Sequence, residues 1–287
     1  MYRIYTDSSA NLPEDLIRKY DLGVIPFHYT IDGVEHPAYG DGGGFDGRTF
    51  YDAMRNGADV YTSMINTDAF CSAFEKSLSA GVDVLYIGMS SGISGAYHAS
   101  LIAERELREK YPERKMAMID TRAASLGEGL PVLHAARLKK AGASFEEAAD
   151  GARGNSALIC QYFTVEDLIY LKKGGRISGA AAFVGNILQI KPILKGDENG
   201  KIVLHRKERG RKRALETLAE KYRALVSDHN LPAGIAHADN EADAESLAGR
   251  LRELGLKGEI LTVCYEPVTG SHVGPGTIAL FFYGIHR

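Results

Sequence analysis

Residues 82–110 read VDVLYIGMSSGISGAYHASLIAERELREK. Val82–Ile87 is a short apolar run of the kind that forms a buried strand. Gly88–Ser94 is a turn rich in hydroxyls and glycine. Gly95–Lys110 then places Ala96, Ala99, Ile102, Ala103 and Leu107 at helical spacing, which makes one face apolar. A strand that passes through a tight turn into a long helix is the unit of a parallel sheet covered by helices.

The same alternation extends outward on both sides. Tyr2–Thr6 reads as a strand running into the polar turn Asp7–Ser9. Pro13–Tyr20 reads as a helix, with Pro in its first turn and Glu14 and Asp15 favouring the dipole. Gly23–Tyr29 and Thr30–His36 read as strands, with Asp32-Gly33 as a turn signal. Residues 38–47, AYGDGGGFDG, hold five glycines and read as a loop. Arg48–Asn56 and Asp68–Ala80 read as helices, the second capped by Thr67. Lys115–Ile119 is a strand, and Gly129–Ala141 and Phe145–Gly151 are helices.

The second half has a different pattern. Val165–Lys173 and Ala180–Leu188 read as helices around a Gly174-Gly175-Arg176 loop. Ile190–Leu194 and Lys201–His205 flank Asp197-Glu198-Asn199-Gly200, a hairpin turn. Arg211–Val226 and Glu241–Glu253 are helices; Ala233–Ala238, Glu259–Tyr265 and Thr277–Tyr283 are strands. The expected fold is therefore α/β in two domains. Residues 1–155 form a mostly parallel sheet flanked by helices, and residues 156–287 form a mixed-sheet domain, the boundary following Gly151–Gly154.

Composition narrows the class. The chain has 287 residues, 34 Lys+Arg against 37 Asp+Glu, and a net charge of -3. Without a basic excess it is not expected to bind nucleic acid or a membrane surface in general. Arg3 and Asp7 stand where a signal peptide needs an apolar run, and no apolar stretch reaches the length of a membrane span. Cys71, Cys160 and Cys264 are scattered, which fits neither a disulfide framework nor a zinc site. A soluble cytoplasmic protein without a metal or cofactor is expected.

Five segments carry chemistry. Gly88-Met89-Ser90-Ser91-Gly92 matches G-x-S-x-G between a strand and a helix, and Asp239 and His272 follow in hydrolase order. The same residues also read as a polar turn at a helix start, where Ser94 and the free amides hold an anion. Tyr61-Thr62-Ser63 offers two hydroxyls in a loop. Leu171–Ser178, LKKGGRIS, reads as a phosphate cradle or as a helix C-terminus with Gly174 at its end. His205–Arg213, HRKERGRKR, packs six cations into nine residues, either a solvated helix start or a patch for an acidic partner. Ser271–Gly276 fixes His272 in a Gly-Pro-Gly loop between strands. No P-loop is present, so the chain is not expected to bind ATP that way.

Together these segments resemble one family. Thr6-Asp7-Ser8-Ser9, Thr62-Ser63, Ser90–Tyr97, Lys172–Ser178, Arg209–Leu215 and His272–Gly276 are similar, in order and spacing, to the signatures of the DegV fatty-acid-binding proteins. The resemblance implies two α/β domains enclosing one long-chain fatty acid such as palmitate, stearate or oleate. Its carboxylate would be held by Thr62 and Ser94, with Ser63, Gly95 and His272 beside them. It also implies a monomeric carrier serving an ATP-binding fatty acid kinase subunit. Arg209, Arg176 and His272 are then candidates for the phosphotransfer step or partner contact. The family usually continues Thr-Ser with Gln-Pro; this chain has Met64-Ile65. Apolar residues for a tunnel wall are expected in Phe183–Ile190 and Thr277–Tyr283.

Overall fold

The computed structural model describes residues 1–40, 45–177 and 189–287. In chain order the first half comprises β1 (Tyr2–Asp7), a 3-10 turn (Ser8–Ala10), α1 (Glu14–Lys19), β2 (Gly23–Ile25), β3 (His28–Ile31), β4 (Val34–Pro37) and α2 (Gly47–Arg55). It continues with β5 (Val60–Ser63), α3 (Thr67–Leu78), β6 (Asp83–Gly88), α4 (Ala96–Lys110), β7 (Met116–Asp120), α5 (Leu126–Lys140) and α6 (Phe145–Leu158). The second half holds β8 (Ile159–Thr164), α7 (Ile169–Lys173), β9 (Ile190–Gly196), β10 (Ile202–Arg209) and α8 (Arg211–Leu225). It ends with β11 (Ala233–His237), α9 (Glu241–Glu253), β12 (Ile260–Cys264), α10 (Pro267–Val273) and β13 (Ile278–Tyr283).

One sheet, in the order β2-β1-β6-β7, is wholly parallel. Its strands are apolar on both faces because both faces are covered. Phe70, Phe74, Ala99 and Ala103 of α3 and α4 pack on one side; Val132, Ala136, Ala148 and Ala152 of α5 and α6 pack on the other. A second sheet runs β10-β9-β8-β13-β11-β12, antiparallel except where β11 meets β12. A third, small sheet, β4-β3-β5, is antiparallel and turns at Asp32-Gly33, both with positive φ. The parallel sheet flanked by helices and the separate mixed sheet follow the sequence pattern; the small sheet does not. There the strand expected over Gly23–Tyr29 breaks at Pro26, and its second part, from His28, pairs with β5.

Helix α5 lies between the two large sheets. Its residues Leu126–Leu133 are all buried, with Leu126 and Leu130 packing against Phe281 and Ala236 of the mixed sheet and Val132 against Ile87 of the parallel one. Apart from Glu128 this stretch is apolar all round, as such a position demands.

Several local expectations are corrected. The helix over 145–151 continues to Leu158, so Gly151 and Gly154 are helical residues. Gly151 packs so closely on α5 that a β-carbon there would stand 2.6 Å from Leu138 Cδ1. Asn66, not Thr67, caps α3, accepting from the Ala69 amide at 2.9 Å. Ile102 is exposed and Ser100 takes its place on the buried face of α4. The helix expected from Val165 starts at Ile169. The segment expected as a helix over Ala180–Leu188, and Gly42–Gly44 of the glycine-rich loop, lie outside the described residues. Among the described residues no helix is long and apolar enough to cross a membrane.

Candidate functional site

Between the two large sheets lies a cavity with an empty volume of about 780 Å³, the open space at its mouth included. Met89 and Ile93 line it from the turn after β6. Phe163, Ile202 and Phe281 line it from the mixed sheet, and Leu171, Val268 and Val273 from α7 and α10. The polar side chains of Thr62, Ser94, Arg176 and His272 are among those that share this wall with the apolar residues.

Thr62 belongs to β5, not to a loop. Strand alternation turns its neighbours Tyr61 and Ser63 to the opposite face, where both are exposed. Ser63 is therefore not among the cavity's lining residues, which corrects its expected place beside Thr62. Ser94 is buried in the turn before α4; its amide donates to the Ser90 carbonyl, and its hydroxyl accepts from the Ala96 amide at 3.2 Å. Gly95 begins the helix beside the Met64 sulfur and lines an outer groove with Ser94, His98 and Arg176, not the cavity itself.

His272 lies on α10, a helix where a loop was expected. Glu266 caps that helix, accepting from the Val268 and Thr269 amides at 2.6 Å each, and Pro267 opens it. His272 Nε2 stands 2.9 Å from Thr62 Oγ1. Burial, and secondarily the charge of Arg176, push the imidazole down to about 4, so at neutral pH it is uncharged. Gly174 packs on the ring: a β-carbon there would stand 2.2 Å from Nδ1. The Gly174-Gly175 pair thus ends α7, with Gly175 rather than Gly174 in the left-handed region, and makes room for the imidazole.

Arg176 is half-buried. Its Nε donates to the Ile93 carbonyl at 3.0 Å and its Nη1 to the Gly174 carbonyl at 2.6 Å. Among the described residues it makes no ion pair, and burial lowers its pKa. It lines the cavity and two outer grooves at once, one with Tyr61 and Lys173, the other with His98 and Lys201. An incoming anion would find both neutral hydroxyl donors and this cation at one end of an otherwise oily space.

Arg209 is elsewhere. It ends β10 opposite Ile190, exposed, and is not among the residues lining the cavity. The basic run around it is half strand and half helix, divided at Gly210. Arg206, Arg211 and Arg213 are paired with Glu208, Asp243 and Glu220, so acidic neighbours absorb much of the charge.

The hydrolase constellation does not assemble. Ser90 is fully buried and donates to the Gly200 carbonyl at 2.8 Å, which docks the β9–β10 turn on the turn after β6. Asp239 pairs with Arg55 at 2.5 Å, and His272 bonds Thr62. A nucleophile needs a base within hydrogen-bond reach, and each of the three side chains is committed elsewhere.

Gln161 and Thr269 also line the cavity, and no motif pointed to them; so does Met64, at the position where this chain departs from the family's Thr-Ser-Gln-Pro. Of the expected wall, Phe281 from Thr277–Tyr283 contributes, whereas 183–188 and Ser178 lie outside the described residues. Among the described residues no cluster of His, Cys, Asp and Glu is arranged to hold a metal ion.

Residues 1–284 match the family described as "Uncharacterised protein, DegV family". A DegV domain-containing protein of Clostridium perfringens is 40% identical over 282 residues, covering 98% of this chain and 97% of the relative. A DegV family protein of Thermus thermophilus, described by its fatty acid binding, superposes with a TM-score of 0.88 at 29% identity and 99% coverage of both chains. The fatty acid binding DegV family protein SAG1342 of Streptococcus agalactiae superposes with a TM-score of 0.87, again at 29% identity and 99% coverage of both.

Proposed function

We propose that this chain, which belongs to the DegV family, binds one long-chain fatty acid in the cavity between its sheets and presents the carboxylate at the Thr62, Ser94 and His272 end. The single observation that carries this reading is chemical asymmetry. One cavity is walled by Met89, Phe163, Val268 and Phe281, and at one end it carries the Thr62 and Ser94 hydroxyls, the uncharged imidazole of His272 and the Arg176 guanidinium, which has no acidic partner among the described residues. A chain of about fourteen methylenes gains roughly 11 kcal/mol on full burial, which the oily wall supplies.

The polar end suits a ligand that must stay reactive. Neutral donors stabilise a carboxylate at less cost in freedom than a bidentate arginine, which would pin both oxygens. Thr62 Oγ1 and the His272 ring already lie 2.9 Å apart, so a carboxylate can be shared between them with Ser94 completing the grip. In this reading the chain is a carrier, and a separate ATP-binding kinase subunit completes the reaction. One carboxylate oxygen attacks the terminal phosphorus of ATP, the bond to the bridging oxygen breaks, and ADP leaves acyl phosphate behind. Arg176, reaching from the cavity to both outer grooves, would meet the charge that develops on the phosphoryl oxygens.

Lipid extraction of the purified chain followed by mass spectrometry tests the reading. One equivalent of a long-chain fatty acid is expected; a chain that carries none and takes up none from solution refutes it.

A further inference from the structure

The opening motif Thr6-Asp7-Ser8-Ser9 lines no part of the cavity, yet it holds two fully buried carboxyl groups together. Asp7 and Glu128 are 1% and 0% exposed. Ser9 Oγ stands 2.6 Å from Asp7 Oδ1 and also 2.6 Å from Glu128 Oε2. A serine hydroxyl carries one hydrogen and can donate to only one of them. The other contact needs a proton on the carboxyl side.

The donor count says where it sits. Asp7 Oδ1 accepts from the Ser9 amide at 2.9 Å, and Oδ2 accepts from the Tyr86 hydroxyl at 2.7 Å and the Met89 amide at 3.1 Å. Glu128 Oε1 accepts from the Thr6 hydroxyl at 2.7 Å, and the Asp7 amide also faces this carboxyl. Apart from the shared Ser9 hydroxyl, Asp7 thus has three donors and Glu128 two. No cation pairs with either group among the described residues.

We propose that Glu128 is a neutral carboxylic acid that donates to Ser9 Oγ, which in turn donates to an ionised Asp7, and that this proton-bearing brace positions the wall and turn of the binding site. The positioning part rests on the function proposed above. Asp7 fixes the Met89 amide, and Met89 is a cavity residue at the head of the turn that ends in Ser94. Ser8 of the same motif accepts from the amide of Phe27, another cavity residue. Glu128 ties both to α5, between the sheets. The groups that face the pair agree with the assignment. Burial raises both carboxyls, and with the charge of Asp7 added it pushes Glu128 well above the ordinary carboxylate range, whereas Ser9, Tyr86 and Met89 donors pull Asp7 back down.

The test compares Glu128→Gln, which keeps one donor and one acceptor in the same shape, with Glu128→Val, which keeps neither. The full-length chain at neutral pH is expected to show the infrared carbonyl stretch of a buried carboxylic acid, diminished in Glu128→Gln to what Glu266, raised to about 7, contributes. Glu128→Gln should match the natural chain in melting temperature near pH 4.5, where an unfolded glutamate still holds much of its proton, and exceed it increasingly as pH rises from there. Glu128→Val should lose protection of the Met89 amide in hydrogen exchange and weaken fatty-acid binding on the order of tenfold. Should Glu128→Val not fold, Ser9→Ala, which breaks the relay without removing the carboxyls, is read in the same way. The proposal is overturned if the infrared band is undiminished in Glu128→Gln, if Glu128→Gln falls as far as Glu128→Val, or if Asp7→Asn is the silent replacement instead. The infrared, melting and exchange readings need no fatty acid, so they stand apart from any failure of the binding function.

Discussion

Acidification should expose His272 as a charge the fold has no room for. In the folded chain the imidazole titrates at about 4, against an ordinary value of 6.5, because it is buried and Arg176 lies near. The unfolded chain therefore binds the proton more readily, and linkage makes stability fall as pH drops through that window. The contribution is complete above about pH 6.5 and is lost progressively toward about pH 4; the gap corresponds to about 3 kcal/mol. Urea unfolding measured across this range, on the ligand-free chain and on His272→Gln, isolates it. Gln can still meet Thr62 Oγ1 but does not titrate, and the other depressed histidines, His134, His205 and His237, cancel in the difference. The natural chain should lose about 3 kcal/mol more than the variant on acidification. Parallel profiles would refute the argument. Fatty acid adds a second arm: a carboxylate beside Nε2 favours the imidazolium, so the loaded chain should hold its histidine proton at higher pH than the empty one.

Other consequences can be checked singly. Thr62→Ala with Ser94→Ala should weaken fatty-acid binding on the order of a hundredfold, while losing about 1–3 kcal/mol of stability through the unpaired Ala96 amide and His272 ring, read by calorimetry and thermal scans. Gly174→Ala should drive a methyl into the His272 ring and cost about 1–3 kcal/mol, with larger loss of binding than Gly175→Ala causes. Ser90→Ala should destabilise the chain by about 1–2 kcal/mol through the unpaired Gly200 carbonyl, and neither form should react with a fluorophosphonate; labelling that depends on Ser90 would revive a hydrolase.

Much of this was legible in the sequence where the signals were local. The Val82–Lys110 segment announces strand, turn and helix through one apolar run, one hydroxyl–glycine cluster and one helical stripe, and Ser94 follows from its place before the helix. Thr62 was visible as a hydroxyl, but only strand pairing with Tyr29 decides that Thr62 and not Ser63 turns toward the cavity. Helix α10 was hidden because Val268-Thr269-Gly270 has low helix propensity; its one local sign was Glu266-Pro267, a cap followed by proline. The burial of Ser90 under Gly200, 110 positions away, and the Glu128–Ser9 contact, 119 away, leave no mark on local pattern at all. Such contacts are written in the topology, and the residues involved look like ordinary polar turns until the sheets come together.

The account is tested most directly by a crystal structure of the chain soaked with a fatty acid brominated at its tail. The carboxylate oxygens are expected within hydrogen-bond reach of Thr62 Oγ1 and Ser94 Oγ, with the anomalous bromine peak deep among the apolar side chains of the cavity. A bromine at the outer surface, or a carboxylate bound away from Thr62 and Ser94, would contradict it.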